Sequence, residues 1–343
     1  MTNYLSNKLR VISFMLICMV VLLHAQIIQL SPDGISVFIQ ELFTGKITKI
    51  AVSSFYAISG FLFAYSIDED KKIEVFRNKI KKRVKTLLVP YFIWSTVCTL
   101  FLCIAQLLMP SIFGTSKLIM EYDFNDYINE FIINPTIAYQ LWFLRDLFIV
   151  SILSPVLYIL LKYLRGCFII FLFLLNLIFW KIGFLSIVSV TFFSTGMYLA
   201  MFRKNWPEYI VSNRLWWFIP LFWISLNLFL VYVEYDSLIL FFINKILGII
   251  SIWVAYDLLY EKYIERWLTV DVFSFTFLIF ILHEPTLTLL KKLYIKGIGV
   301  DSIITSLFFY FFSPLALISG IIFVGRFFKT RRPNTYNLLT GSR

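Results

Sequence analysis

The sequence predicts an all-α polytopic bundle of about ten transmembrane helices, with both termini cytoplasmic. Three observations predict it. The chain is 60% hydrophobic and only 15% charged, against roughly half and a quarter in a soluble domain. Apolar runs close to the ~20 residues that cross a bilayer recur along its whole length. Lys and Arg gather between alternate runs, so the net charge of +11 follows the positive-inside rule and calls for no nucleic-acid partner. No soluble domain is appended. The chain therefore reads as one membrane domain over residues 1–343, with spans across 10–325 and a basic cytoplasmic tail at 326–343.

The expected spans lie near 10–30, 47–66, 86–109, 138–161, 166–181, 183–202, 214–234, 238–258, 270–290 and 301–325. The short links at 162–165 and 181–182 suggest antiparallel hairpins. Orientation follows from the loops. The stretch 71–85, "KKIEVFRNKIKKRVK", holds eight Lys or Arg. Lys8 and Arg10, then Arg203, Lys204 and Arg214, then Arg326, Lys329, Arg331 and Arg332 fall on the same side as that stretch. Glu121, Asp123, Asp126, Glu130, Glu234 and Asp236 fall on the other. One loop disagrees, because Lys291, Lys292 and Lys296 come out on the acidic side. Cys18, Cys98, Cys103 and Cys167 all stand in apolar runs without C-x-x-C spacing, so they read as buried free thiols and no metal site is expected.

The first run, "RVISFMLICMVVLLHAQ", spans Arg10–Gln26 and is expected to be a retained span, since no small-x-small cleavage site follows it. His24 stands near its far end. Fourteen residues separate Arg10 from His24, which brings both to nearly one helix face about 21 Å apart. The pair reads either as brackets of a cavity or, separately, as an interfacial anchor and a topological marker. In span 2, Ser59-Gly60 offers a small surface for close helix contact. At the start of span 3, "KKRVKTLLVPYFIW" sets Lys82, Arg83 and Lys85 before Pro90. Those cations suit either anionic lipid or a phosphate clamp, and Pro90 kinks or restarts the helix.

Span 4 carries "YQLWFLRDLFIVSILSP". Arg145 and Asp146 are helix neighbours about 100° apart and need not pair with each other. Trp142 reads as a belt aromatic or as a stacking face for a sugar ring. Span 9 carries "FLIFILHEPTLTLLKK", in which Pro285 frees the carbonyl of Ile281 beside His283 and Glu284. His24, Arg145, Asp146, His283 and Glu284 thus share the outer half, the layer that also holds both histidines of the chain. Ionisable residues inside a membrane are costly, so a shared site is the default reading.

These stretches, taken in order with "FYAISGFL" and "FFSTGMYLA", resemble acyltransferase family 3, integral-membrane O-acyltransferases of bacterial surface glycans. The resemblance covers residues 10–285. It implies ten core helices, a cytoplasmic acyl-CoA donor and a catalytic His, which falls on His24. The family's basic clamp falls on Arg83, flanked by Lys82 and Lys85. Two positions depart from the pattern: Ser13 stands where an Arg is usual, with Arg10 one turn earlier, and Thr86 replaces a second Arg.

The expectation is an enzyme of the bacterial cytoplasmic membrane that moves acetyl from acetyl-CoA to a hydroxyl of a glycan or lipid-linked sugar. His24 would be its base or a transient acyl carrier, and His283 a reserve base. Asp146 or Glu284 would orient His24 or bind acceptor hydroxyls, and Arg145 and Trp142 would hold the acceptor. Arg10, Lys82, Arg83 and Lys85 would hold the CoA phosphates. A flippase that moves glycan unmodified, or a structural subunit indifferent to His24, are the alternatives.

Overall fold

The computed structural model describes residues 1–30, 34–67, 72–110, 117–209, 211–260, 264–265, 268 and 271–341. The described chain is a helix bundle, as the apolar runs require. Eight of its helical segments are long and apolar enough to cross a membrane. Two shorter apolar helices, Gly166–Ile178 and Ile187–Phe202, stand where spans five and six were expected.

Helix α1 (Asn3–His24) is capped by the Thr2 side chain and carries the first apolar run. A short α2 (Gly34–Gln40) and a π-helical stretch, Glu41–Ile47, lead into α3 (Ile50–Ala64). The basic stretch is helical: α4 (Lys72–Arg83) runs through a π turn at Val84–Leu88 into α5 (Val89–Leu108). Pro90 stands in the first turn of α5, where its missing N–H costs nothing, so it restarts the helix there. After a small helix α6 (Phe124–Ile128), α7 (Trp142–Leu164) turns at once into α8 (Gly166–Ile178). The expected link at 181–182 is a β-hairpin, β1 (Lys181–Ile182) pairing with β2 (Leu185–Ser186) through Lys181↔Ser186. Then come α9 (Ile187–Phe202), α10 (Phe218–Tyr232) and α11 (Leu238–Leu259). Last are α12 (Thr276–Gly297), α13 (Ile303–Arg331) and α14 (Pro333–Thr340).

The closest crossing is α3 on α9, and glycines make it possible. A Cβ on Gly60 would lie 2.0 Å from the Phe193 carbonyl oxygen, and one on Gly196 would lie 1.9 Å from that of Ala57. Small residues at a membrane helix contact let backbones approach in this way. Both chain termini lie at one end of the bundle. There the Thr2 N–H reaches Glu208 in the loop after α9, and the Trp94 indole donates to the Leu339 carbonyl of α14. The tail is not a loose basic segment. Tyr336 and Thr340 are buried, Tyr336 packs edge-on against Phe275, and Gly341 adopts a left-handed conformation against the Thr86 backbone. At the same end Lys8 and Asp257 form a fully buried ion pair of 2.5 Å that also receives the Tyr4 hydroxyl. All four cysteines are free, and Cys167 is exposed where burial was expected.

Candidate active site

A cavity and, beside it, a cluster of both histidines make up the site. The cavity, of about 710 Å³, lies at the end that holds the termini. Its mouth is cationic. Arg10 from α1 and Lys79, Lys82 and Arg83 from α4 all line it, and so do Ser13 and Thr86. Arg10 therefore reaches, from one turn earlier, the same space that a residue at position 13 faces. Arg83 is held by a 2.9 Å bond from Nη2 to the Ser59 hydroxyl, so Ser59 does more than pack. Lys79 donates to the Phe63 carbonyl. Lys79 was not singled out in the sequence, although its place one helical turn before Arg83 is a usable signal. Lys85 is exposed and stands outside the cavity wall.

The inner end of this cavity is aromatic. Phe143 of α7 and Phe280 of α12 meet there with ring centroids 5.6 Å apart, backed by Phe55 and Tyr56. Trp142 packs edge-on against Phe143 from behind. On the far side of that partition stand both histidines, with the Phe280 ring packed 6.1 Å from the His283 ring.

His24 is the last residue of α1, and His283 stands at the break in α12, with ring centroids 5.3 Å apart. The break is local: Glu284 leaves helical geometry (φ −116°, ψ 138°) just before Pro285. Carbonyls at the break find side-chain and ring donors. Gln140 Nε2 donates to the Glu284 carbonyl at 2.9 Å and reaches that of Ile281 at 3.5 Å. The Phe280 carbonyl accepts from His283 Nδ1 at 2.6 Å.

Tyr139 joins the two sides of the site. Its hydroxyl donates to Glu284 Oε1 at 3.1 Å and lies 3.0 Å from His24 Nδ1. A phenol has a single proton. With that proton given to the carboxylate, His24 Nδ1 must be the N–H that donates to the phenol oxygen. The lone pair of His24 is thereby left on Nε2. The other carboxylate oxygen, Glu284 Oε2, accepts from Thr288 at 2.7 Å. His283 also carries its proton on Nδ1, facing a carbonyl, so its lone pair is on Nε2 as well. That atom is buried and has no hydrogen-bond partner among the described residues. Lys291 closes the end of α1 by donating to the carbonyls of His24 (2.9 Å) and Gln26 (2.8 Å).

His24, His283 and Glu284 are thus brought together. Asp146 is not. It is turned to Arg145, 2.9 Å away, and accepts from the Ser186 backbone N–H. The sequence did not require these neighbours to pair, but the long Arg145 side chain folds back onto Asp146, and both reach the β-hairpin. Arg145 also donates to the carbonyls of Ile132, Ile133 and Phe184. The pair fastens the β-hairpin and the 129–133 turn to α7, away from both histidines. Tyr139 was missed because one of 19 tyrosines beside a membrane span carries no signal of its own.

Searches among curated proteins and solved structures return no match. A family model does match. The family described as "Acyltransferase domain" covers residues 8–325, from the start of α1 through the break in α12 and into α13. With cationic cavity and paired histidines inside that match, the chain belongs to this acyltransferase family and is a multi-pass membrane acyltransferase.

Proposed function

We propose that the protein transfers acetyl from acetyl-CoA in the cytoplasm to a hydroxyl of a cell-surface glycan or its lipid-linked precursor, in the bacterial cytoplasmic membrane. The observation that carries this reading is the relay Glu284–Tyr139–His24, which leaves His24 Nε2 free to accept a proton. The end holding the termini faces the cytoplasm, where basic residues concentrate. The phosphates of the donor lie against Arg83, Lys82, Lys79 and Arg10, where guanidinium forks and ammonium groups suit phosphate oxygens. Lys85, although beside the clamp in sequence, points elsewhere.

His24 Nε2 takes the proton of the acceptor hydroxyl as its oxygen attacks the thioester carbonyl. The carbon–sulfur bond then breaks, and the imidazolium returns the proton to the leaving thiolate. Tyr139 and Glu284 hold the tautomer and stabilise the imidazolium, the part a carboxylate plays in a catalytic triad. His283 Nε2 offers its lone pair to a neighbouring hydroxyl of the acceptor. Asp146 and Arg145 hold the scaffold, and Trp142 backs the aromatic partition.

The test is wild type against His24→Ala at matched membrane levels in a glycan-producing host, with alkali-released acyl groups quantified. Ester with wild type and none with the variant is expected. Ester with both transfers the base to His283. Glycan transported without any ester sinks the acyl-transfer reading in favour of a flippase.

A further inference from the structure

A second cavity, of about 520 Å³, lies between α1, α3, α8, α9 and α11. Its walls are hydrocarbon, among them Ile12, Phe61, Phe173, Phe192, Ile249 and Trp253. Ser54 and Thr195 are its only hydroxyl-bearing wall residues, and both are spent on their own helices, on the carbonyls of Ile50 and Thr191. Water finds no partner in such a space. The cavity opens sideways, because Ile246 and Ile250 on α11 line it and are 39% and 41% exposed on the outside of the bundle. Along α11 it runs from Ile246 to Val254, about 12 Å at 1.5 Å per residue, and Leu9, Trp206 and Pro207 line it toward the end that holds the termini. If a methylene fills about the 30 Å³ of a liquid water, 520 Å³ takes about seventeen of them.

A cation stands at the outer end of this slot. Lys245 immediately precedes Ile246 and is only 5% exposed. Its ammonium lies 4.0 Å from the ring centre of Phe241 and 5.7 Å from that of Phe242, so the side chain runs outward by one turn. Phe242 in turn packs on Phe173, a wall of the slot. Among the described residues no carboxylate pairs with Lys245. The exposed Lys49, just before α3, is a second cation within electrostatic reach of it. An uncompensated ammonium inside a membrane span is costly, and ring faces alone offset only part of that cost.

We propose that this slot binds one anionic glycerophospholipid, one acyl chain filling the cavity and its phosphate resting against Lys245 and Lys49. The slot shares only Ile58 with the cationic cavity, and Lys49 at its head stands within electrostatic reach of both Lys245 and His24.

The test uses the full chain in detergent, exchanged against phosphatidylglycerol or phosphatidylcholine, with retained lipid counted per protein by mass spectrometry. Wild type is expected to retain about one phosphatidylglycerol, and Lys245→Arg to do the same. Lys245→Met should lose the preference for phosphatidylglycerol over phosphatidylcholine, and Ile249→Phe should retain neither. Excess inorganic phosphate should not displace the lipid. Each variant is compared only as a monodisperse species with the melting point of wild type. No retained lipid in wild type, an unchanged preference in Lys245→Met, or release by inorganic phosphate overturns the proposal. Acyl transfer is not read in this experiment, so its failure and that of the proposed function are distinguishable.

Discussion

At the scale of single residues, the site depends on where one proton sits. His24→Ala should lower transfer by roughly 10²–10⁴-fold, the usual worth of a general base. Tyr139→Phe keeps the ring and removes the hydroxyl, so Nδ1 loses its acceptor and the tautomer is no longer fixed. Transfer should then fall by about 10²-fold in kcat with KM for acetyl-CoA unchanged, measured as ester formed by purified enzyme at saturating donor. Asp146→Asn, by contrast, should act on yield of folded protein and leave kcat per folded molecule near wild type. An unchanged kcat in Tyr139→Phe would remove the relay from the mechanism. His24, His283 and Glu284 were legible in the sequence because each is an ionisable group in an apolar run, and the membrane makes such groups conspicuous. Tyr139 was not legible, since tyrosine is at home at a membrane boundary for other reasons. Asp146 was conspicuous for the same cause as His24, yet it serves a loop. Sequence shows that a buried charge needs a partner, but not which partner folding supplies.

At the scale of elements, α4 presents its cations as a helix face. Lys79 and Arg83 are one turn apart and line the cavity, while Lys85 points away. Arg83→Ala should raise KM for acetyl-CoA by roughly tenfold or more, the value of a charge-assisted bond. Lys85→Ala should leave KM where it is, and equal effects from the two would contradict the helix-face account. At the α3–α9 crossing, Gly60→Val must push against the Phe193 backbone. It should abolish folded, monodisperse protein in detergent, whereas Ser66→Val should be tolerated. The span order and the restart at Pro90 could be read from hydropathy and from one proline. The basic stretch read as a loop because eight cations mask a helical period, and helical continuity through a π turn leaves no trace in composition.

At the scale of the whole molecule, the cationic cavity and the histidines are neighbours across an aromatic wall. Phe143 and Phe280 stand between them. Phe280→Ala should shorten that partition and admit a longer acyl chain, seen as a rise in transfer from butyryl-CoA relative to acetyl-CoA. An unchanged ratio would mean that the partition does not select the acyl group. The tail is part of the same architecture: truncation after Arg332 removes Tyr336 from the core and the acceptor of Trp94, and should lower Tm in detergent. The fold class was plain in composition, but the docking of the tail was not, because a polar segment betrays nothing of the surface it will cover.

Lys291 bears on how the bundle is assembled. Its ammonium ends on the last carbonyls of α1, a contact available only after the first and ninth spans have met. Until then it is a bare cation on the acidic side of the chain, opposing the orientation of its own hairpin during insertion. The topological signals upstream must therefore commit the chain before this hairpin emerges from the ribosome. A lysine that ends as a helix cap counts against the orientation early and for the fold late, so the order of synthesis matters to this bundle as well as its final charge tally.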